Sequence, residues 1–392
     1  MNIGILSPSI YMSPTYYKDM IFAPRDLCVA LADGLVKKGH TVFLFTSNDI
    51  SSRASIISGD MHLLELAAKS EKEAKDRVGW SLFFSKKRYY ELDLTDKCFA
   101  MAKSGKLDVI HSYHDFCAHF FNDVSEVPII YTQHDPLDVK RGYSWLLSRF
   151  HNHTYVAISD AQRHTDSFEM SFIDTVYHGI SVREYAFSET KGNYGACMAR
   201  LVPEKGVYDA IQAMDILKER LHIATSLKEV GLDKAYVSSS IQSHLTSEIV
   251  LVGFMEGKKK AEFLSNAFVF LFPIHWEEPF GMVMIEAMAC GTPVVAYARG
   301  SVPEVVVDGV TGFIINESEK NKRGDWIIKK TGVEGLVEAI NRLKVMPKEE
   351  YMTMRKACRK HVEDHFSVEQ MVEGYEKVYE KILASQGQAL RS

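Results

Sequence analysis

Length, composition and charge exclude several classes of protein. The chain has 392 residues, of which 46% are hydrophobic and 25% are charged. This length predicts two domains, and this balance is typical of a folded globular chain rather than a disordered, collagenous or coiled-coil one. The formal net charge of −5 argues against general nucleic-acid binding.

The first half of the chain alternates short apolar runs with segments of helical period. Its predicted strands are Ile3–Ser7, Thr41–Thr46, Val109–Ser112, Pro128–Thr132, Tyr155–Ser159 and Thr175–His178. A helix between the first two has Leu27, Leu31 and Leu35 at every fourth position. Residues 50–100 break this alternation, and we predict that they form helical and loop insertions.

The second half repeats the pattern. Its predicted strands are Tyr194–Arg200, Leu221–Thr225, Ile249–Gly253, Val269–Pro273, Pro293–Tyr297 and Phe313–Ile315, and helices are predicted over 349–364 and 367–385. Alternating strands and helices predict parallel sheets covered by helices on both faces, with ligand sites at the carboxyl ends of the strands. We expect the boundary between the two halves near the polar segment 181–192.

The pattern of the six cysteines indicates the cellular compartment. They form no C-x-x-C pair and no cluster with metal-ligand spacing. This pattern predicts reduced thiols and a cytoplasmic location. We expect no signal peptide, because the chain starts with a strand-like run, and no transmembrane segment, because no apolar window reaches about 18 residues.

One segment within 50–100 has two possible interpretations. Trp80, Phe83 and Phe84 precede the cations of 86–88. They form either a patch that contacts a membrane surface, or a helix that buries its aromatic rings and exposes its cations. The second arrangement is the commoner one, and we expect it here.

The strongest motif follows the predicted strand at Val269. The run His275-Trp276-Glu277-Glu278-Pro279-Phe280-Gly281 leads into a short helix that Gly291 ends. Gly281 permits close backbone approach, and the free N–H groups of Met282 and Val283 are suited to binding a phosphate or diphosphate.

Two carboxylates are spaced along this motif. Glu278 precedes the helix and Glu286 lies two turns into it. A separation on the order of 10 Å is too wide for the nucleophile and acid of a retaining glycosidase, which lie ~5–5.5 Å apart. Two parts of one long ligand, a ribose and a sugar, explain the spacing better than a glycosidase pair does.

A second motif, residues 200–206, follows the first strand of the second half. Arg200 and Lys205 lie at a strand end, where they could neutralise a diphosphate leaving group without a metal. The alternative is a solvated turn. Because the chain contains no D-x-D sequence, a metal-dependent sugar-nucleotide site is not predicted.

Together these motifs resemble those of the family-4 retaining glycosyltransferases. The E-x7-E spacing of Glu278 and Glu286 matches that family. The resemblance continues in residues 177–180, 300–304, 308–313 and 366–369. It implies the α/β GT-B fold, in which two Rossmann-like doubly wound domains face a cleft and the C-terminal helix crosses back to the first domain.

The resemblance also implies domain roles. Residues 1–185, completed by 367–392, would be the acceptor domain, and residues 186–366 would be the nucleotide-sugar donor domain. Its implied catalytic residues are Arg200, Lys205, Glu278 and His134. Its implied donor-binding residues are Phe280, Gly281, Met282, Val283 and Glu286, with Gly253 and Phe254 beside the base.

The loop Ser9–Pro24 departs from the family pattern. The family usually has a Gly-Gly and a Glu here, and this chain has Phe22, Ala23 and Arg25 at the corresponding positions. The tyrosines of this loop are interpreted as an acceptor wall or lid, or as plain packing. The tentative acceptor residues are Tyr16, Tyr17, Arg25, His111 and His114. The two histidines could instead be structural, and no third ligand stands near them to complete a metal site.

The expected function is therefore transfer of a hexosyl unit from a nucleoside-diphosphate sugar to a hydroxyl acceptor. A UDP-sugar is favoured and GDP-mannose comes second. No cofactor, metal or nucleic acid is expected. The alternatives are an enzyme resembling UDP-sugar 2-epimerases on the same fold, and a non-catalytic two-lobed protein that binds sugar or nucleotide.

Overall fold

The computed structural model describes residues 1–18, 22–113, 116–135, 144–164, 169–226 and 234–389. The chain divides into two compact units. The first consists of Met1–Ile158, Gln162–Tyr177 and Val368–Ser392, and the second of Ser159–Ala161 and His178–Ser367. The acceptor and donor roles assigned to the two domains remain predictions.

Strands and helices alternate along both units. Up to residue 177 the elements are β1 Asn2–Leu6, α1 Ala23–Lys37, β2 Thr41–Thr46, β3 Ser55–Ser58, α2 Met61–Glu73, α3 Arg77–Lys103, β4 Val109–Tyr113, β5 Ile129–Thr132, α4 Ser144–Arg149, β6 Tyr155–Ala157, α5 Asp160–Arg163 and β7 Phe172–Thr175. Short 3-10 turns span Ile10–Met12 and Ala118–Val124.

The second half continues the alternation. Its elements are β8 Gly195–Met198, α6 Val207–Leu217, β9 Leu221–Ala224, α7 Lys234–Tyr236, β10 Ile249–Gly253, α8 Gly257–Ser265, β11 Val269–Phe272, α9 Met282–Ala289, β12 Val294–Tyr297, α10 Val302–Val305, β13 Gly312–Ile315, α11 Gly332–Val345, α12 Lys348–His365 and α13 Val368–Ala389. A π-helical turn spans Val237–Ile241, and 3-10 turns span Val182–Glu184, Pro203–Lys205 and Gln242–His244.

Each unit is built around one parallel sheet. The first sheet has the order β3-β2-β1-β4-β5-β6-β7, and the second has the order β10-β9-β8-β11-β12-β13. In the first sheet Ile3 pairs with Val42 on one side and with Val109 on the other. Strands buried on both faces need apolar residues throughout, which is why the sequence signals were continuous apolar runs. The predicted doubly wound fold is confirmed.

Two predictions about the first sheet were wrong. Residues 50–100 hold an edge strand, β3, which pairs parallel to β2. It has only two apolar residues between two serines, too short a run to stand out in the sequence. The last strand lies at Phe172–Thr175 rather than at Thr175–His178, so its predicted position was late by three residues.

The C-terminal helix α13 belongs to the first unit. The hydroxyl of Tyr379 lies 2.8 Å from His111 Nδ1, and the hydroxyl of Tyr375 lies 3.1 Å from Thr132 Oγ1. These buried hydrogen bonds join α13 to the middle of β4 and to the carboxyl end of β5. The predicted return of the last helix to the first domain is confirmed.

The aromatic segment of α3 differs from expectation. Phe83 is buried in the core of the first unit, whereas Trp80 and Phe84 are exposed. The prediction that this helix packs all three rings inward was therefore wrong for two of them. No helix within the described ranges combines the length and the apolar character needed to cross a bilayer.

Candidate active site

The strand β8 leads into the predicted motif at residues 200–206. Beyond Met198 the chain passes through the turn Pro203–Lys205, and α6 begins after Gly206. Gly206 has a φ of +63°, and a Cβ at this position would lie 1.7 Å from the carbonyl oxygen of Pro273. Only glycine fits this close approach, which brings the turn against the residues that follow β11.

Lys205 and Glu278 form an ion pair within the second unit. Lys205 Nζ lies 2.8 Å from Glu278 Oε2, and both side chains are largely buried. The indole Nε1 of Trp276 donates to the same oxygen at 2.7 Å, and Lys205 Nζ lies 4.1 Å from the centroid of that ring. The two predicted motifs therefore meet at these three side chains.

Arg200 precedes the turn and is exposed. Its guanidinium makes no hydrogen bond or ion pair within the part of the chain that the structure describes. It therefore lies just beyond the carboxyl end of β8 as an accessible positive charge, and its role in binding an anionic ligand stays a prediction.

Backbone and side-chain hydrogen bonds fix the loop between β11 and α9. The His275 N–H donates to the carbonyl of Glu204 at 2.8 Å. Glu277 accepts from Arg299 Nη1 at 2.9 Å and from the Gly300 N–H at 2.7 Å. Glu277 therefore holds neighbouring loops together, which leaves Glu278 as the carboxylate paired with Lys205.

His275 itself lies between two carboxylates. Its Nδ1 is 2.6 Å from Glu317 Oε1, and its Nε2 is 3.4 Å from Asp209 Oδ2. The hydrogen bond to Asp209 and that to Glu317 raise the pKa of His275 despite its partial burial. This histidine supports the loop by its interactions with two carboxylates. The sequence did not predict either partner.

The helix α9 presents an uncapped N-terminus. Gly281 precedes it with a φ of +77°, a conformation that favours glycine, and no side chain accepts a hydrogen bond from the first turn. Met282 and Val283 are half-buried. Their N–H groups have no partner inside the helix, so this end is suited to an anionic group.

Phe280 is buried in the second unit rather than turned to solvent. Its ring centroid lies 5.0 Å from that of His178 and 5.8 Å from that of Phe366. Its carbonyl accepts a hydrogen bond from Ser301 Oγ at 2.8 Å. The contribution of Phe280 to a ligand site is thus through the position of its backbone and of the glycine that follows.

Glu286 is buried, and its hydrogen-bond partners among the described residues all contact one of its two carboxylate oxygens. Lys260 Nζ lies 2.6 Å from Oε1, and the Tyr185 hydroxyl donates to the same oxygen at 2.9 Å. Burial and the Glu286 charge raise the pKa of Tyr185, so its hydroxyl stays protonated and donates. Among the described residues nothing donates to Oε2, which can accept from a ligand.

Gly253 and Phe254 follow β10 at the same edge of the sheet. Gly253 is exposed, and its carbonyl accepts from the Thr225 N–H at 3.0 Å. Phe254 is half-buried. Because the carboxyl ends of parallel strands share one edge, these residues, the turn after β8 and the loop after β11 lie along that edge.

The remaining predicted residues belong to the first unit. His134 follows β5, is half-buried, and its ring centroid lies 4.5 Å from that of Tyr113. The Tyr17 hydroxyl donates to Glu71 Oε2 at 2.8 Å. Arg25 Nη1 lies 3.4 Å from the carbonyl oxygen of Tyr17.

The tyrosines of the loop before α1 take part in packing. Tyr16 and Tyr17 both pack against the hydrophobic core of the first unit. Burial, followed by the hydrogen bond to Glu71, raises the pKa of Tyr17. The acceptor roles of Tyr16, Tyr17 and Arg25 stay predictions, and so does the donor contact of His134.

His111 is fully buried on β4. Its Nδ1 is bonded to Tyr379 and its Nε2 lies 2.8 Å from Thr132 Oγ1. Burial lowers the pKa of His111 to about 3, so the ring is neutral. His111 was interpreted above either as an acceptor contact or as a structural residue. These contacts fit a structural residue. His114 lies outside the described residues.

The structure thus brings the predicted residues of the second unit into two groups. Lys205 and Glu278 meet beside Trp276, and Glu286 meets Lys260 and Tyr185. Trp276 stood inside a predicted motif, but no sequence signal separated Lys260 from its neighbouring lysines. Across the described residues no group of three histidine, cysteine or acidic side chains could hold a metal ion.

Two family models match nearly the whole chain. The model described as "Glycosyl transferases group 1" matches residues 183–361, and the one described as "Glycosyltransferase Family 4" matches residues 27–183. An uncharacterised glycosyltransferase of Methanocaldococcus jannaschii is 27% identical over 296 residues, which cover 71% of this chain and 77% of that protein.

Solved structures share the fold. A sucrose-phosphate synthase from Thermosynechococcus elongatus superposes with a TM-score of 0.73 at 17% identity, over 98% of this chain and 100% of that one. The Anabaena protein HepE in complex with UDP and glucose gives a TM-score of 0.66 at 17% identity, over 97% of this chain and 100% of that one. These likenesses establish two Rossmann-like domains of GT-B type.

Proposed function

The chain belongs to the family-4 glycosyltransferases of GT-B fold, and from this premise we propose that it transfers a hexosyl unit from a UDP-sugar to a hydroxyl acceptor with retention of configuration. GDP-mannose is the second choice of donor. The choice of UDP is supported by the HepE complex, which shares the fold and contains UDP and glucose.

The observation that carries the proposal is the meeting of Lys205 and Glu278 in the unit that contains the open N-terminus of α9. Arg200 adds an accessible positive charge at the same sheet edge. A diphosphate needs positive charge that is fixed before it arrives, and two cations with a helix N-terminus supply it. In this proposal no metal ion and no cofactor takes part.

Binding of the donor would exchange partners at Lys205. Glu278 and Lys205 form an ion pair at 2.8 Å. In the proposed complex the diphosphate takes over Lys205, and the Glu278 carboxylate accepts hydrogen bonds from hydroxyls of the donor sugar. The ion pair therefore keeps the site organised before the substrate replaces it.

Glu286 is the proposed ribose-binding residue. Lys260 and Tyr185 both hold Oε1, so Oε2 is the oxygen that would accept from the ribose hydroxyls. A charged acceptor forms stronger hydrogen bonds to hydroxyls than a neutral one does. Glu286 and Glu278 would then bind two separate parts of one nucleotide sugar, the ribose and the donor sugar.

The proposed reaction uses no enzyme carboxylate as a nucleophile. Glu278 already accepts from Lys205 and Trp276. Instead the acceptor hydroxyl would attack from the face that the diphosphate leaves, and a phosphate oxygen would take the acceptor proton. The bond from the anomeric carbon to the phosphate breaks as the new glycosidic bond forms, and Arg200, Lys205 and α9 stabilise the charge on the leaving group.

The cysteines support a reducing compartment for this reaction. All six are free thiols and buried. Buried thiols whose pKa is raised, such as Cys197 at about 12, are unreactive hydrophobic groups rather than redox centres. A cytoplasmic location is therefore part of the proposal.

Nucleotide binding and donor turnover test the proposal. Thermal melts with UDP, GDP and CMP should reveal one preferred nucleotide, since a ligand at ~100 times its Kd stabilises by about 2.7 kcal/mol. Release of UDP from UDP-glucose, followed by NMR of the anomeric proton of the product, tests transfer and retention. Isomerisation of UDP-N-acetylglucosamine without acceptor would instead identify an epimerase, and binding without any turnover would identify a binding protein.

A further inference from the structure

The carboxylates of Glu278 and Glu286 are held in the same way. Glu278 accepts both of its side-chain hydrogen bonds on Oε2, from Lys205 Nζ at 2.8 Å and from Trp276 Nε1 at 2.7 Å. Glu286 likewise accepts from a lysine and from a tyrosine hydroxyl on one oxygen. Each carboxylate therefore has one oxygen bonded to a lysine and an aromatic side chain. Its other oxygen has no donor in the described part of the chain.

The main chain of Glu278 is fixed independently of its carboxylate. The Ser301 N–H donates to the Glu278 carbonyl at 2.9 Å. Gly300 has a φ of +51°, and a Cβ at this position would lie 2.2 Å from the same carbonyl oxygen. The two loops are thus in close contact along their backbones. The freedom that remains to Glu278 is rotation of its side chain, which the two donors to Oε2 restrict.

The two donors differ in what happens to them when the donor substrate binds. In the proposed function the diphosphate takes over the Lys205 ammonium. The indole N–H of Trp276 is uncharged, so a diphosphate attracts it less strongly than it attracts the ammonium. The bond from Trp276 to Glu278 Oε2 therefore remains after Lys205 has changed its partner. Without that bond, the carboxylate would be free to rotate away from a sugar hydroxyl.

Trp276 is placed by the same turn that carries Lys205. Lys205 Nζ lies 4.1 Å from the centroid of the Trp276 ring. The N–H of the preceding residue, His275, donates to the carbonyl of Glu204 at 2.8 Å. The ammonium contacts the face of the indole, whereas the N–H that reaches Glu278 is at its edge. Movement of Lys205 toward a ligand therefore leaves the N–H of Trp276 directed at Glu278.

We propose that Trp276 is the positioning residue through which Glu278 recognises a hydroxyl of the donor sugar, an inference that rests on the proposed function. Trp276 holds Oε2, so Oε1 is the oxygen that accepts from one hydroxyl of the bound hexose. A site built to bond a hydroxyl discriminates strongly against an analogue that lacks it, because the carboxylate is then left without its partner. Trp276 thereby sets the specificity for the sugar without contacting the sugar itself.

The test is calorimetry of the full chain with UDP, UDP-glucose and the monodeoxy analogues of UDP-glucose. Wild type should bind one analogue more weakly than UDP-glucose by about tenfold or more, because a hydrogen bond to a charged group is lost. Trp276→Phe keeps a ring beside Lys205 but removes the N–H. In this variant the ratio of the two affinities should fall to less than about half its wild-type value. UDP affinity should stay the same, since UDP has no hexose.

The chain offers a matched control for the loss of an indole N–H. Trp326 is half-buried like Trp276, but its Nε1 has no hydrogen-bond partner among the described residues. Trp326→Phe should leave every affinity unchanged. Trp276→Leu removes the ring as well as the N–H, so it should also weaken UDP binding by releasing Lys205. In a Glu278→Ala background, adding Trp276→Phe should cause no further loss of discrimination, because both residues act on one contact.

Several results would overturn the proposal. They are a wild type that binds UDP-glucose and all its deoxy analogues equally, an unchanged affinity ratio in folded Trp276→Phe, and a loss of affinity in that variant that is equal for UDP and UDP-glucose. Thermal melts establish that each variant is folded. Failure of the proposed function is seen separately, as absence of UDP binding or of donor turnover by wild type. Failure of this inference is instead seen in a wild type that binds UDP.

Discussion

Lys260 Nζ lies 2.6 Å from Glu286 Oε1 and connects helix α8 to helix α9. Both side chains are mostly buried, and the hydroxyl of Tyr185 binds the same oxygen. A carboxylate held by two donors on one oxygen has a fixed orientation, which is what a residue that positions a nucleoside requires. This arrangement leads to two predictions that separate binding by Glu286 from positioning by Lys260.

The first prediction concerns Glu286→Gln. This substitution keeps the shape of the side chain but removes charge-assisted hydrogen bonds, each worth roughly 1.5–3 kcal/mol. Calorimetry should show a fall in UDP affinity of about tenfold or more. Glu262→Gln on α8, where the glutamate is exposed, makes the same chemical change and should have no effect. Unchanged UDP affinity in folded Glu286→Gln would remove this residue from the site.

The second prediction concerns Lys260→Met. Loss of the cation leaves a mostly buried carboxylate uncompensated, so the melting temperature should fall. UDP affinity should fall several-fold, while affinity for inorganic pyrophosphate, which has no ribose, stays the same. Lys259→Met, one residue earlier and exposed, should change neither. An equal loss for UDP and pyrophosphate would show that Lys260 does not act through Glu286.

The Glu286 contacts also mark the limit of prediction from sequence. The loop, the glycine and the helix at 275–291 could be predicted because their signals are local: an apolar strand, a residue with positive φ and a helix end. Lys260 and Tyr185 reach Glu286 across 26 and 101 residues of chain. Only tertiary packing distinguishes Lys260 from Lys258 and Lys259, so no sequence pattern could have selected it.

Most of the fold could be predicted from the sequence, but two local features of the first unit could not. Most strands are short, continuous apolar runs, so their parallel pairing could be predicted from their alternation with helices. The edge strand β3 has little apolar surface and was missed. Trp80 and Phe84 were expected inside because the aromatic rings of a helix more often pack inward, but both are exposed and only Phe83 of the three is buried.

The third prediction is metal independence. Arg200 and Lys205 provide two positive charges for the diphosphate, and the chain has no D-x-D sequence. UDP release from the donor should therefore continue at its full rate in excess EDTA. The matched comparison adds EDTA saturated with Mg²⁺. A rate that falls on chelation and returns with Mg²⁺ or Mn²⁺ would contradict the prediction.

The fourth prediction concerns pH and His275. Its partners Asp209 and Glu317 raise its pKa in the folded protein above the unfolded value of about 6.5. The stabilisation by the charged ring is therefore fully present below about pH 6.5 and is lost as the pH rises through the folded pKa. The melting temperature of wild type should exceed that of His275→Asn by more at acidic than at alkaline pH.

A control for this pH dependence is His62→Asn, because His62 is exposed on α2 and lies at 3.9 Å from its carboxylate partner, Glu65. Its melting temperature should follow wild type at every pH. A difference between wild type and His275→Asn that stays constant across the pH range would mean that the ring acts only by its neutral hydrogen bonds and its packing.

The fifth prediction tests whether Lys205 and Arg200 act in the transition state. Negative charge on the diphosphate grows as the glycosidic bond breaks, so cations fixed beside it gain most at that point. Lys205→Ala and Arg200→Ala should each lower the saturating rate by about 10²–10³-fold, well beyond any effect on donor affinity. Lys205→Arg should not restore the rate, because a planar guanidinium does not replace a compact ammonium that lies over Trp276.

The double variant Arg200→Ala with Lys205→Ala sharpens this test. If both cations serve one diphosphate, the double variant should lose less than the product of the two single losses. Lys258→Ala, an exposed lysine on α8, supplies the control for loss of a positive charge, and circular-dichroism melts establish that each variant is folded. Glu278 keeps its hydrogen bond from Trp276 when Lys205 is removed, so the loop after β11 should remain in place. Saturating rates within about twofold of wild type for both folded single variants would show that the leaving-group site has been assigned to the wrong residues.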